Sequence, residues 1–116
     1  MSARPRLGLI GLGIMGAAMT RRLLSRGWQV TAWNLEPERF SEVAGQGAKW
    51  AETPAALREA SDIVLICVLG DDAIESVCFG RNGLASGSGA DTVIDLSTTS
   101  VDVTRDIAGR LGVHWL

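Results

Sequence analysis

Short apolar runs alternate along this chain with segments in which apolar residues return every three or four positions, so strands and helices are expected to take turns. Leu7-Gly8-Leu9-Ile10 is the first such run. It passes directly into Gly11, Gly13 and Gly16, which predicts a strand turning abruptly into a helix. In that helix Gly16, Met19, Thr20, Leu23, Leu24 and Gly27 recur at i, i+3, i+4, i+7, i+8 and i+11, forming one face for a sheet. Arg21, Arg22 and Arg26 fall elsewhere, toward the end that the helix dipole favours for cations, and Gly27 can close the helix in a left-handed conformation.

The β-branched and aromatic segment 28–34 reads as a second strand, parallel to the first because a helix has carried the chain back. Pro37 opens a short helix over 37–44, residues 48–51 form a short third strand, and Thr53-Pro54 supplies a cap and a first-turn proline for a helix through Ala60. Residues 63–69 are apolar without alternation, which predicts a strand covered on both faces. After the turn Gly70-Asp71-Asp72 comes a helix with Ala73, Ile74 and Val77 facing inward, then a Gly- and Ser-rich stretch, 80–89, expected to be a mobile connector. Residues 92–98 give a fifth strand ending in hydroxyls. Thr99 or Ser100 caps the next helix, with Val103, Ile107, Ala108 and Leu111 as its buried stripe; Gly112 stops it, and 113–116 begin a sixth strand. This alternation, with right-handed crossovers, predicts an α/β fold: a doubly wound parallel sheet in the order 3-2-1-4-5-6, one domain over residues 1–116. The order reverses between the first and fourth strands, so the loops after Gly11, Leu69 and Leu96 are expected to converge on one crevice.

Gly11, Gly13 and Gly16 make G-x-G-x-x-G, with a physical reason at each glycine. Gly11 takes a conformation that a side chain obstructs, Gly13 leaves room for phosphate oxygens, and Gly16 lets helix and strand approach. Leu12, Ile14 and Met15 complete a loop whose N–H groups and helix start suit a pyrophosphate. At the end of the second strand an acid would bond a ribose 2′-hydroxyl and repel a 2′-phosphate; Asn34 carries no such charge.

Composition narrows the partners. A chain of 116 residues with 47% hydrophobic content can build one sizeable core. A formal net charge of −2 with scattered cations gives no footprint for nucleic acid. No apolar stretch approaches the roughly twenty residues that cross a bilayer. The N-terminal Met-Ser-Ala-Arg-Pro-Arg is not followed by a leader-like cleavage pattern, so a cytoplasmic location is expected. Cys67 and Cys78 lack C-x-x-C or metal spacing and read as reduced structural thiols, and His114 reads as a strand residue; no metal site is expected.

Taken in order, Gly11-Leu12-Gly13-Ile14-Met15-Gly16, Trp33-Asn34, Val68-Leu69 before an acidic turn, Phe79-Gly80 with Asn82-Gly83-Leu84, and Asp95-Leu96-Ser97-Thr98 resemble the β-hydroxyacid dehydrogenases. That family includes 3-hydroxyisobutyrate dehydrogenase, tartronate semialdehyde reductase and 6-phosphogluconate dehydrogenase, and the resemblance covers nearly the whole chain. It implies a Rossmann domain for NADP or NAD, with the glycine loop on the pyrophosphate and Asn34, Leu35 and Arg39 at the adenosine end. Val68, Leu69, Gly70 and Ile74 would line the path from adenine to nicotinamide. Ser97 and Thr98 would meet the substrate and the nicotinamide end. The complete enzyme would transfer hydride between nicotinamide and a small hydroxyacid or its semialdehyde form.

Departures from the family pattern qualify this picture. Where NADP-preferring members carry Asn-Arg-Thr, this chain has Asn34-Leu35-Glu36. Leu35 cannot grip a 2′-phosphate and Glu36 opposes one, while Arg39 offers compensation from the following turn. The missing acid tips the expectation toward NADP over NAD. Gly70 stands where a proline is common. The family's catalytic lysine lies beyond the equivalent of Leu116, in or near a helical second domain, and Lys49, the only lysine here, belongs to the third strand. No catalytic residue is therefore expected in this chain, which should hold a cofactor without turnover, its second domain absent and its first ending early. Two other readings stay open. One is a non-catalytic dinucleotide-binding or assembly module whose open sheet edge invites a homodimer. The other is the cofactor domain of an imine reductase, which shares the glycine motif and the Asn-ending second strand.

Overall fold

The computed structural model describes residues 4–116. β1 (Leu7–Ile10) sits mid-sheet, paired in parallel with β2 (Val30–Trp33) on one side and β4 (Ile63–Ile66) on the other. Outside these lie β3 (Lys49–Trp50), β5 (Thr92–Asp95) and β6 (His114–Trp115), giving the order β3-β2-β1-β4-β5-β6 expected from the alternation. Five helices connect the strands: α1 (Ile14–Ser25), α2 (Ser41–Ala44) behind a 3-10 turn at Pro37–Phe40, α3 (Pro54–Glu59), α4 (Asp71–Phe79) and α5 (Val101–Leu111). Among the described residues no helix is long and apolar enough to cross a membrane.

Local chemistry sets these boundaries. The Thr53 hydroxyl accepts from the Ala56 amide at 3.0 Å and caps α3, with Pro54 behind it in the first turn. Ser100 caps α5 in the same way, accepting from the Val103 amide at 3.3 Å, and Gly112 ends that helix in the left-handed region. In α1 the buried residues are Gly16, Ala17 and Thr20, with the Thr20 hydroxyl donating to the Gly16 carbonyl at 2.8 Å so that it can be buried at no polar cost.

Alternation along β1 divides the core. Leu7 and Leu9 join Leu12, Ala17, Val30, Ala32 and Val43 on the side of α1 and α2. Ile10 joins Leu57, Val64, Ile66, Ile74, Val77, Val93 and Ile107 on the side of α3, α4 and α5. Because α4 and α5 share that second face, β4 is not covered equally on both sides as its unbroken apolar run predicted. Val64 and Ile66 are fully buried, whereas Ile63 and Leu65 are only partly buried at the margin of the α1 cluster. The strand also stops at Ile66 although the apolar run continues to Leu69, because β1 turns away at Gly11 and β5 ends at Asp95, removing both partners.

The stretch over residues 80–89, expected to be mobile, is tied down. Arg58, only 13% exposed, donates Nε to the Ala90 carbonyl at 2.9 Å and Nη1 to those of Leu84 and Gly87 at 2.9 and 3.2 Å. Leu84 is fully buried within the connector. One guanidinium thus bonds three carbonyls of a segment whose regular structure is a single 3-10 turn, Leu84–Ser86.

Candidate functional site

The three glycines after β1 have three different surroundings. Gly11 lies at φ +103°, and a Cβ there would strike the carbonyl of Cys67. A Cβ on Gly16, in the first turn of α1, would strike the carbonyl of Gly11. Gly13 is different: an added Cβ would find no heavy atom within 4 Å. Packing accounts for the first and third glycines and leaves the middle one facing open space.

That space lies before the positive end of a helix. Gly13 is the N-cap of α1 with no side-chain cap, and the first intrahelical bond runs from the Ala17 amide to the Gly13 carbonyl at 2.9 Å. The amides of Ile14, Met15 and Gly16 therefore have no acceptor within the helix, which suits an anion. Ile14 and Met15 are 90% and 58% exposed.

The peptide just before is pinned from both sides. Leu12 is fully buried; its amide donates to Asn34 Oδ1 at 2.8 Å, and its carbonyl accepts from Arg39 Nε at 2.9 Å. Asn34 Nδ2 donates to the Glu36 carbonyl at 3.0 Å. Asn34, expected at a ribose, thus ties the glycine loop through Oδ1 to the turn after β2 through Nδ2, and keeps one lone pair and one N–H in reserve. The outer Nη1 of Arg39 reaches Glu42 Oε1 at 3.5 Å. Leu35, next to Asn34, is exposed and carries no polar atom.

The facing wall is the zipped pair of loops after β4 and β5. Ser97 Oγ accepts from the Val68 amide at 3.0 Å and donates to the Ile66 carbonyl at 3.3 Å, while the Ser97 amide donates to Asp95 Oδ1 at 2.9 Å. Leu69 bridges Thr98, the Gly70 amide donates to the Thr98 carbonyl at 3.0 Å, and the Ser100 amide donates to Asp71 Oδ1 at 2.8 Å. Ser97 and Thr98, expected to act as a pair, are thereby separated. The Ser97 hydroxyl is engaged as both donor and acceptor within the wall, and the exposed Thr98 borders the groove.

Between the two walls runs a groove of about 260 Å³, lined by residues 13–16 and 67–69 with Leu96 and Thr98. Ile74, expected along this path, is corrected: it is fully buried with Ile66 and Val77, on the face that α4 turns to the sheet, and has no surface for a ligand. Sequence reasoning missed Cys67 and Leu96. Each is the first residue past the end of its strand, the place where parallel sheets gather ligand contacts, and that position was the available signal. Burial, and secondarily the Asp95 carboxylate, push the Cys67 thiol up, so it enters the groove wall protonated. A larger cavity, about 420 Å³, opens at the other end of the sheet among Arg6, Trp28, Gln29, Thr31 and Lys49, remote from the glycine loop. Among the described residues no group of His, Cys, Asp or Glu has metal-holding geometry.

A parallel sheet whose first strand ends in a glycine elbow on a helix N-terminus, at the point where strand order reverses, defines a dinucleotide-binding domain of the doubly wound class. The family described as the NAD binding domain of 6-phosphogluconate dehydrogenase matches residues 6–115, and the chain belongs to that family. It is 29% identical over 106 residues to a protein of Arabidopsis thaliana described as a probable 3-hydroxyisobutyrate dehydrogenase-like 2, mitochondrial, covering 90% of this chain and 36% of that protein. Among solved structures, an imine reductase from Pseudomonas sp. superposes with a TM-score of 0.82 at 31% identity, covering 94% of this chain and 38% of that one. Psf3, solved in complex with NADP+ and 2-OPP, superposes with a TM-score of 0.84 at 30% identity, covering 94% of this chain and 40% of that one. The chain thus spans two fifths or less of the length of each of these proteins, and what it matches in them is a nicotinamide-dinucleotide-binding domain.

Proposed function

We propose that this chain is the cofactor-holding part of an NAD(P)-dependent oxidoreductase that interconverts a small hydroxyacid and its carbonyl form. The observation that carries the reading is Gly13: a glycine that packing does not require, open to space in front of unpaired helix amides. The bound dinucleotide would supply or accept the hydride. For their part, the amides of residues 13–16 receive its pyrophosphate, and the Leu12 peptide, pinned by Asn34 and Arg39, keeps those amides in place. Thr98 presents a neutral hydroxyl at the far end of the groove, able to bond a nicotinamide amide without setting a charge beside the hydride path. At the adenosine end Arg39 is the cation closest to the loop, and no acid ends β2, which favours NADP over NAD.

Proton transfer to the substrate oxygen is assigned to a residue outside this chain. Lys49, the sole lysine, borders the cavity at the opposite end of the sheet. The likeness to an imine reductase supports a second reading in which the same domain serves reduction of a C=N bond, the difference residing in the absent acid. Titrating the purified chain with NADPH and NADH, followed by quenching of Trp33 beside Asn34, tests the proposal. Saturable binding, tighter for NADPH and without turnover of added semialdehydes, is the expected result; binding of neither cofactor would overturn it.

A further inference from the structure

Arg39 is the only guanidinium bonded to the glycine loop among the described residues, and its two ends do different things. Nε is fixed on the Leu12 carbonyl at 2.9 Å, so the plane of the group is set by the loop. The outer edge, Nη1, faces Glu42 Oε1 at 3.5 Å across the 3-10 turn and the start of α2. Arg39 and Glu42 remain 35% and 48% exposed, which leaves this edge accessible to a ligand.

We propose that Glu42 is a specificity-determining residue: its carboxylate occupies the edge of Arg39 that a ribose 2′-phosphate would take, and so lowers the affinity for the phosphorylated dinucleotide alone. The inference rests on the functional reading above, in which the adenosine end lies beside Asn34 and Arg39. Three observations lead to it. Asn34 and Leu35 offer no charge and the exposed Glu36 forms no ion pair among the described residues, so the Arg39–Glu42 pair is where a cation for the phosphate already carries an acid. The pair is long and half-exposed, a geometry whose net strength is small, so a dianionic phosphate can displace the carboxylate. Once displaced, Glu42 stays within a few ångströms as a like charge and continues to oppose the phosphate. A cofactor with a free 2′-hydroxyl meets neither effect.

Binding of NADPH and NADH to the full chain, wild type against Glu42→Gln, is the test. Removing the competing carboxylate is expected to tighten NADPH by about fivefold at low salt, the size of a weak surface pair plus one screened like-charge repulsion, and to leave NADH within about twofold. The gain should shrink as salt rises. It should fall to the like-charge part alone, about twofold, in the double variant Arg39→Gln, Glu42→Gln compared with Arg39→Gln alone, because the competition for the guanidinium edge is then gone. Glu42 is exposed, so the single variant folds and the result is readable. Equal changes for both cofactors, no change in either, or a gain undiminished by Arg39→Gln would each overturn the inference while leaving the dinucleotide site intact. Failure of the wild-type chain to bind either cofactor would instead remove the reading on which it rests.

Discussion

Replacing Gly13 and Gly16 separately by alanine divides function from packing within one motif. At Gly13 the new Cβ meets nothing within 4 Å, and the backbone lies at φ −68° and ψ −169°, where any residue is comfortable. Losing unfolded-state entropy favours alanine by about 0.4–1 kcal/mol, and its poor fit to an N-cap costs a similar amount, so stability should stay within about 0.5 kcal/mol of the parent. The same methyl enters the open space at the N-cap of α1, where the functional reading puts a phosphate. Displacing a phosphate from one charge-assisted hydrogen bond there costs about 1.5–3 kcal/mol, which is roughly a ten- to hundredfold loss of dinucleotide affinity. At Gly16 the methyl would run into the Gly11 carbonyl, so loop and helix must separate. Overpacking of that kind costs about 1–3 kcal/mol, and on a domain of this size it lowers the melting temperature by roughly 5–15 °C. Thermal melts followed by NADPH titration of Trp33 fluorescence read both quantities. If Gly13→Ala bound NADPH within twofold of the parent, the open space at residue 13 would not be where a phosphate sits. If it melted like Gly16→Ala, the steric distinction between the two glycines would be wrong.

Ser97→Ala removes the hydroxyl that accepts from the Val68 amide and should cost about 1–2 kcal/mol while speeding hydrogen exchange at that amide. Thr98→Val should leave stability within about 0.5 kcal/mol and weaken dinucleotide binding instead; the reverse pattern would show that the two hydroxyls have been assigned the wrong way round. The alkaline limb of stability reports the thiols, because the sequence has no tyrosine and a single lysine. Burial first, and then Asp95 and Glu75 against the opposing Arg110, push the Cys78 thiol up to about 12 from 9.0, and Cys67 is raised in the same sense. A raised folded-state value means that the stabilisation is fully present below pH 9 and is lost as pH climbs toward 12, with a slope of at most about 1.4 kcal/mol per pH unit per thiol. Urea midpoints between pH 7 and 10.5 should therefore be flat and then fall, and Cys78→Ala should lower the plateau but soften the fall; an undiminished fall in that variant would place its origin elsewhere.

The order of the sheet was legible because each strand and helix announced itself by period. β1, β2, α1, α3 and α5 all lie where spacing, Pro54, Thr53, Ser100 and Gly112 put them. What period does not carry is partnership. The apolar run after residue 63 reads the same whether one or two helical layers cover it, and only the placement of α4 and α5 on one face shows that Ile63 and Leu65 are left at a margin. Likewise the Gly- and Ser-rich stretch looks like a free connector until Arg58, thirty residues earlier in some of its contacts, is seen to bond its carbonyls.

At the site the same limit takes a sharper form, because function depends on which hydrogen-bonding groups are still free after folding. Asn34, Ser97 and Arg39 all have the residue types a dinucleotide crevice calls for, and each was read in that sense from sequence. In the folded chain their polar atoms are largely committed: Asn34 and Arg39 to the Leu12 peptide, Ser97 to Ile66 and Val68. Gly13 offers no side chain at all, yet the absence of anything within 4 Å of its would-be Cβ makes it the strongest pointer in the crevice. Residues that build the walls use up most of their donors and acceptors in doing so, and a ligand would be left with the helix amides, the Thr98 hydroxyl, the spare lone pair and N–H of Asn34 and the outer edge of Arg39. A sequence shows how many polar groups a site starts with, and only the fold shows how many remain.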